Sequence, residues 1–237
     1  MDENEQIEAK VISTGHNEID KKLGGGVPVG SLVLIEGESD AGKSVLCQQM
    51  IWGSLNNGVK VILFTAENSV RSLLPQMNSL GLDILDQLLL GWLKVYPIKS
   101  SQAKNAPQQA FEVLLETMAR HKSYDLIIMD SLTPIVSYSN DAETLSYFER
   151  CRNLCDKGKT ILNVVHTYAF NQDILIRVRS ACDAHFRLMI EKVGDKLVKT
   201  LEVAKIRGAA QNTGNIMTFE VEPGIGMKIM PISRAKA

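Results

Sequence analysis

The stretch Ser31 to Val45, SLVLIEGESDAGKSV, constrains this chain more than any other. An apolar run, Leu32-Val33-Leu34-Ile35, ends at Gly37, and Glu38-Ser39-Asp40-Ala41 leads into Gly42-Lys43-Ser44-Val45. The spacing is G-x-x-x-x-G-K-[ST], with a strand pattern before it and a helix pattern after it. Glycines at that interval let the backbone curl so that its N–H groups point inward around phosphate oxygens. The following helix adds its positive N-terminal end. Lys43 supplies a mobile charge for β- and γ-phosphates, and the Ser44 hydroxyl suits Mg²⁺. Residues Gly37 to Val45 therefore predict a nucleotide site.

At 237 residues the chain is long enough to bury a substantial core, and it reads most simply as one α/β domain over 1–237, with residues 1–10 as a frayed tail. Lys and Arg number 26 against 27 Asp and Glu, a balance that argues against gripping nucleic acid through overall charge. The opening MDENEQIEAK is acidic and polar, unlike a signal or transit peptide, and no apolar run reaches the length of a membrane span. Cys47, Cys151, Cys155 and Cys182 lack the neighbours of a zinc set and read as reduced packing residues of a cytosolic protein.

Strand and helix patterns alternate along the chain. Thr14 or Asn17 is placed to cap a short helix through Lys22, which Gly24-Gly25-Gly26 ends. A helix is expected from Lys43 to Leu55, a buried strand over Val59–Thr65, and a helix over Val70–Leu80 bent or delayed by Pro75. Strands at Leu93–Pro97, Tyr124–Asp130 and Lys159–His166 alternate with helices at Gln108–His121 and Asp141–Asp156, and Ser100–Pro107 reads as a loop. This order implies right-handed crossovers and a mainly parallel sheet covered on both faces. After Ser180 the pattern becomes strands and tight turns, an antiparallel meander extending the sheet edge.

Acids at strand ends complete the expected site. Asp130 closes an apolar strand, so it should lie near Ser44 and hold Mg²⁺ directly or through water; the alternative is a turn or N-cap Asp. Glu67 lies just past the strand that follows the glycine-rich helix. It is placed to orient or deprotonate the water that attacks a γ-phosphate, or else it is an exposed acid in a helix's first turn. His166 ends the last core strand, as a γ-phosphate sensor or a satisfied core histidine. Lys205 and Arg207 alternate with Ile206 near a strand tip. They are expected to miss their own phosphate loop and meet a neighbouring subunit's nucleotide, or to be solvated edge cations.

With those residues in view, STGHNEIDKKLGGGVPVGSLVLIEGESDAGKS resembles the opening of KaiC/RecA-like ATPases. LIIMDS resembles their Walker B strand. KIRG resembles the Lys-x-Arg-Gly element by which such subunits reach a neighbour's ATP. Within the group, GESDAGKS, FTAENS and VVHTYAF on a single-domain length are most similar to the accessory ATPases of the archaeal flagellum, the archaellum. The resemblance implies a RecA/KaiC-like three-layer α/β/α fold with a C-terminal antiparallel hairpin extension. It also implies ATP and Mg²⁺ as cofactors and a homo-oligomeric ring, a hexamer. The implied setting is cytoplasmic, at the membrane face through partners. Those partners are the secretion/rotation ATPase and the scaffold proteins near the membrane platform of the motility machine.

Two departures matter. The family's Glu-Glu pair stands here as Glu67-Asn68, and its histidine after Lys-x-Arg-Gly is replaced by Gln211. Losing a base slows such chemistry by roughly 10²–10⁴-fold. A regulatory subunit with tight ATP binding and weak or no hydrolysis is therefore the first expectation, and an active ATPase doing mechanical work is the second. A DNA-binding recombinase paralogue is least favoured. Where recombinases place a DNA loop, Tyr168–Asp183 mixes Arg177 and Arg179 with Asp173, Asp183, Leu175, Ile176 and Val178, an amphipathic helical pattern.

Overall fold

Alternation of apolar side chains assigns each core strand two buried faces. Along β3 (Leu32–Gly37), Val33 and Ile35 enter one hydrophobic cluster while Leu32 and Leu34 enter the other. β4 (Val61–Thr65) and β6 (Leu126–Asp130) divide in the same way. Such strands stay buried only if helices cover both sides. The computed structural model describes residues 10–98, 104–193, 196–208 and 216–230. Residues 1–9 of the expected N-terminal tail, the first part of the Ser100–Pro107 loop and Gln211 lie outside those residues.

The first cluster packs under α2 (Lys43–Asn56) and α3 (Val70–Ser79). A short two-stranded sheet of β1 (Val11–Ile12) and β2 (Val27–Pro28) adds Ile12 and Val27, with Ile19 from α1 (Asn17–Lys22) between them in sequence. The N-cap of α1 is His16, not Thr14 or Asn17, and its side chain makes no capping bond. Thr14 is drawn away because its Oγ1 and N–H both donate to the Asp20 carboxylate, at 2.7 and 2.8 Å. Pro75 lies inside α3 and does not delay its start, because Ser69 and Ser72 close a reciprocal capping box that starts it at Val70.

Beyond α4 (Leu85–Leu89) and β5 (Leu93–Pro97), the second face is covered by α5 (Pro107–Arg120), α6 (Thr133–Val136), α7 (Asp141–Cys155) and, after β7 (Thr160–His166), α8 (Gln172–Ala181). All four cysteines are free and buried. Nine strands form the main sheet in the order β11-β10-β9-β8-β3-β7-β6-β4-β5, where β8 is Ala184–Val193, β9 Lys196–Ile206, β10 Ile216–Glu222 and β11 Gly226–Met230. From β8 to β5 every pairing is parallel, and from β8 to β11 every pairing is antiparallel. β8 is thus parallel to β3 on one side and hairpin-paired to β9 on the other. The fold is the expected RecA/KaiC-like α/β/α arrangement with its antiparallel extension. No helix among the described residues is long and apolar enough to cross a membrane.

Candidate functional site

Register carries the chemistry-bearing side chains to one end of the sheet. Gly37 on β3 is level with His166 on β7, and Thr65 on β4 with Asp130 on β6. These strand ends open into a cavity of about 480 Å³ lined by Lys43, Ser44, Glu67, Asp130 and His166. A cavity of about 520 Å³ between β5 and α5 is lined by Phe64, Tyr96, Val113 and similar residues, with no acid, lysine, arginine or histidine. The ionic chemistry belongs to the first.

The loop over that cavity is shaped from both sides. Gly42 has φ +98°, a conformation L side chains rarely adopt, and a Cβ there would come within 2.9 Å of the Phe219 ring. Gly37 is required for a different reason: a Cβ would stand 2.4 Å from the Leu188 carbonyl oxygen of β8. Both contacts come from the antiparallel extension, which therefore closes directly on the loop. α2 then begins at Lys43 with no side-chain cap and no acid in its first turn. Its first N–H groups and positive dipole end are left for an anion.

Electrostatics bind the cavity walls together. Lys43 donates to the Glu38 carbonyl oxygen at 2.5 Å and lies 3.4 Å from His166 Nδ1. Burial lowers its ammonium pKa, while the Asp130 and Glu67 carboxylates pull it back up. His166 is held below the usual histidine range by burial and by Lys43, so it is neutral near pH 7. It stacks on Tyr168 with centroids 5.1 Å apart. Asp130 is buried, and burial pushes its carboxyl up to about 6 although the Ser44 hydroxyl bonds to it; Glu67 adds to the rise and Lys43 opposes it.

Folding raises the Asp130 pKa above its ordinary 3.8. The folded chain therefore binds more protons than the unfolded one between those values. Asp130 favours folding below pH 4, and that contribution is lost as pH rises through about 6. Asp130→Asn should stabilise the nucleotide-free protein by roughly 1–2 kcal/mol at pH 7 and leave it unchanged near pH 4. Thermal melts of both proteins across that range check this; an equal difference at every pH would contradict it.

Among the described residues, no group of three His, Cys, Asp or Glu side chains is arranged to hold a metal. The Ser44–Asp130 pair nevertheless fits Mg²⁺, which keeps one or two protein ligands and takes its other oxygens from phosphate and water. The uncapped α2 terminus and the Gly42 turn likewise fit the phosphates.

Lys205 and Arg207 do not join this cluster. Lys205 is level with His185, which is level with Leu34, so it stands toward the opposite end of the sheet from Gly37. Its Nζ donates to the carbonyl oxygens of Arg179 and Cys182, at the C-terminal end of α8. Arg207, past the end of β9, lies 3.6 Å from Asp183 and is largely exposed. The segment expected to be helical, Tyr168–Asp183, is a 3-10 turn at Thr167–Ala169 followed by α8. Asn68, Gln76, Ser131, Lys199 and Val221 also line the cavity. The last two come from the extension, whose sequence carries no phosphate signature.

A family model described as an ATPase of the KaiC type matches residues 12–234. The chain belongs to the KaiC-type ATPases. This KaiC-type chain is 29% identical over 229 residues to the archaeal flagellar ATP-binding protein FlaH of Sulfolobus acidocaldarius, covering 96% of this chain and all of that one. FlaH of Methanocaldococcus jannaschii is 30% identical over 230 residues, covering 94% and 96%. The crystal structure of flagellar accessory protein FlaH from M. jannaschii matches with a TM-score of 0.81 at 28% identity, covering 93% of this chain and 98% of that one.

Proposed function

We propose that this KaiC-type ATPase is a FlaH-like regulatory and scaffold subunit of the archaellum motor, binding Mg-ATP tightly and hydrolysing it weakly or not at all. The observation that carries the reading is the single cavity in which Lys43, Ser44, Asp130 and Glu67 meet at the mouth of an uncapped helix. Lys43 holds the β- and γ-phosphates, and backbone N–H groups of Gly37–Ser44 surround them. Ser44 and Asp130 hold Mg²⁺, which supplies charge neutralisation on the phosphate oxygens. Glu67 alone stands where the family has paired acids. It orients a water but lacks the second carboxylate, and its neighbour Asn68 carries no charge.

ATP then acts as a ligand whose preference for one arrangement sets assembly into a ring, a hexamer. The expected partners are the secretion/rotation ATPase and scaffold proteins at the cytoplasmic face of the membrane platform. A second reading, an active ATPase doing mechanical work, is favoured by Ser44, Asp130 and Glu67 all lining one cavity. Phosphate release by the parent protein and by Glu67→Gln separates the two. The first reading expects both to release phosphate at the same slow rate. Rapid turnover by the parent that Glu67→Gln removes would establish the second.

Lys205 and Arg207 are proposed as contacts to a neighbouring subunit's nucleotide, supported by their distance along the strands from their own loop. Arg207→Ala should keep the parent's ATP affinity in the monomer and weaken ATP-dependent association at least about ten-fold. Sedimentation as an intact ATP-loaded ring would remove the trans role. DNA is not an expected ligand, and salt-dependent capture of single-stranded DNA would revive that alternative.

A further inference from the structure

Lys199 pairs with no carboxylate among the described residues. Its place on β9, level with Ile190 of β8 and Phe219 of β10, puts it on the strand face that continues as Leu201 and Val203. Those two side chains are buried in the core on the α2 side. The apolar face therefore ends in an ammonium where it leaves the core, and this end lines the phosphate cavity with Lys43, Ser44 and Asp130. There its Nζ donates to the Asp40 carbonyl oxygen of the glycine-rich loop. Among the described residues no acid lies within ion-pair distance of it, whereas Arg187, elsewhere on the extension, meets Glu36 and Glu202, and Lys228 meets Glu222.

A lone ammonium aimed into a cavity built for phosphates has an obvious counter-ion. We infer that Lys199 is a nucleotide-binding residue, contributed by the antiparallel extension, whose ammonium takes a phosphate oxygen of the bound nucleotide. This rests on the ATP-binding reading above and adds to it a ligand from outside the loop motif. The backbone is already in place: Phe219, level with Lys199, packs on Gly42, and Leu188 of β8 packs on Gly37. Only the flexible stem of Lys199 has to turn from the Asp40 carbonyl to the phosphate. A charged hydrogen bond outcompetes a bond to a neutral carbonyl.

The test is calorimetric titration of the full chain with Mg-ATP, in the parent, Lys199→Met and Lys199→Arg, with melting of each protein free of nucleotide. Lys199→Met should bind ATP roughly ten-fold more weakly, the worth of one charged hydrogen bond. Lys199→Arg should return to within about three-fold of the parent. Nucleotide-free melting temperatures should agree among the three, which a purely structural lysine would not allow. Parental affinity in Lys199→Met, or a loss that Arg fails to rescue, overturns the inference while leaving the ATP site intact. A parent chain that binds no ATP overturns both.

Discussion

Lys43→Ala should lose ATP binding by at least about 100-fold, because the mutation removes the ammonium of the Gly37–Ser44 loop and with it the charged bonds proposed for two phosphates. Lys43 begins α2, bridges to the Glu38 carbonyl and stands beside His166, so nothing else on the loop replaces it. Loss of its charge also leaves the buried Asp130 carboxyl without the ammonium that opposes its rise, so the carboxyl is pushed up further. Titration with a fluorescent ATP analogue checks this directly. Unchanged affinity would take the nucleotide away from Gly37–Ser44. Circular dichroism should show the variant folded, since the helix keeps its remaining residues.

Glu36→Gln has the largest expected effect on folding. Glu36 precedes Gly37 and is fully buried, yet its Oε1 accepts from Arg179, from Arg187 Nε at 3.1 Å, and lies 3.1 Å from His185 Nε2. Burial alone would raise its carboxyl, but hydrogen bonds and charge from His185 and Arg179 outweigh that and bring it down to about 2. Arg187 continues to Glu202 on β9, so the network ties the loop strand to the extension. Replacing the carboxylate leaves cations without their counter-charge. A fully buried pair would lose about 3–5 kcal/mol, and here about 2–3 is expected, because Arg179 and Arg187 remain 26% and 37% exposed and can turn to water. The folded pKa lies below the unfolded 4.5. Its stabilisation is therefore full above about 4.5 and lost as pH falls through 2. Urea unfolding should show a wide gap between parent and variant at pH 7 that closes toward pH 2. A gap independent of pH would mean that lost packing, not charge, is responsible.

These two residues also mark what the sequence makes legible. Gly37, Gly42, Lys43 and Ser44 act within one turn of chain, so their spacing alone reveals strand, loop and helix. Asp130 and His166 end apolar runs, and parallel strands carry such ends to a common edge. Glu36 interrupts an apolar strand, but the partners that explain it, Arg179 and Arg187, are 143 and 151 residues away. Lys199 is hidden in the same way: nothing in KLVKTLEV marks it, and only the sheet order brings it to the Asp40 carbonyl 159 residues away. α4 is not legible in the sequence, because five residues without a capping side chain leave too short a period to read. The α1 cap departs from the sequence pattern because the Asp20 carboxylate takes the Thr14 hydroxyl.

The central claim is that an intact triphosphate is cradled by Gly37–Ser44 and persists there. Equilibrium dialysis of the purified chain against Mg-ATP, with chromatographic identification of the protein-bound nucleotide after an hour, tests it in one measurement. The account predicts about one nucleotide per chain, recovered as ATP. No bound nucleotide, or bound nucleotide recovered as ADP, would contradict it.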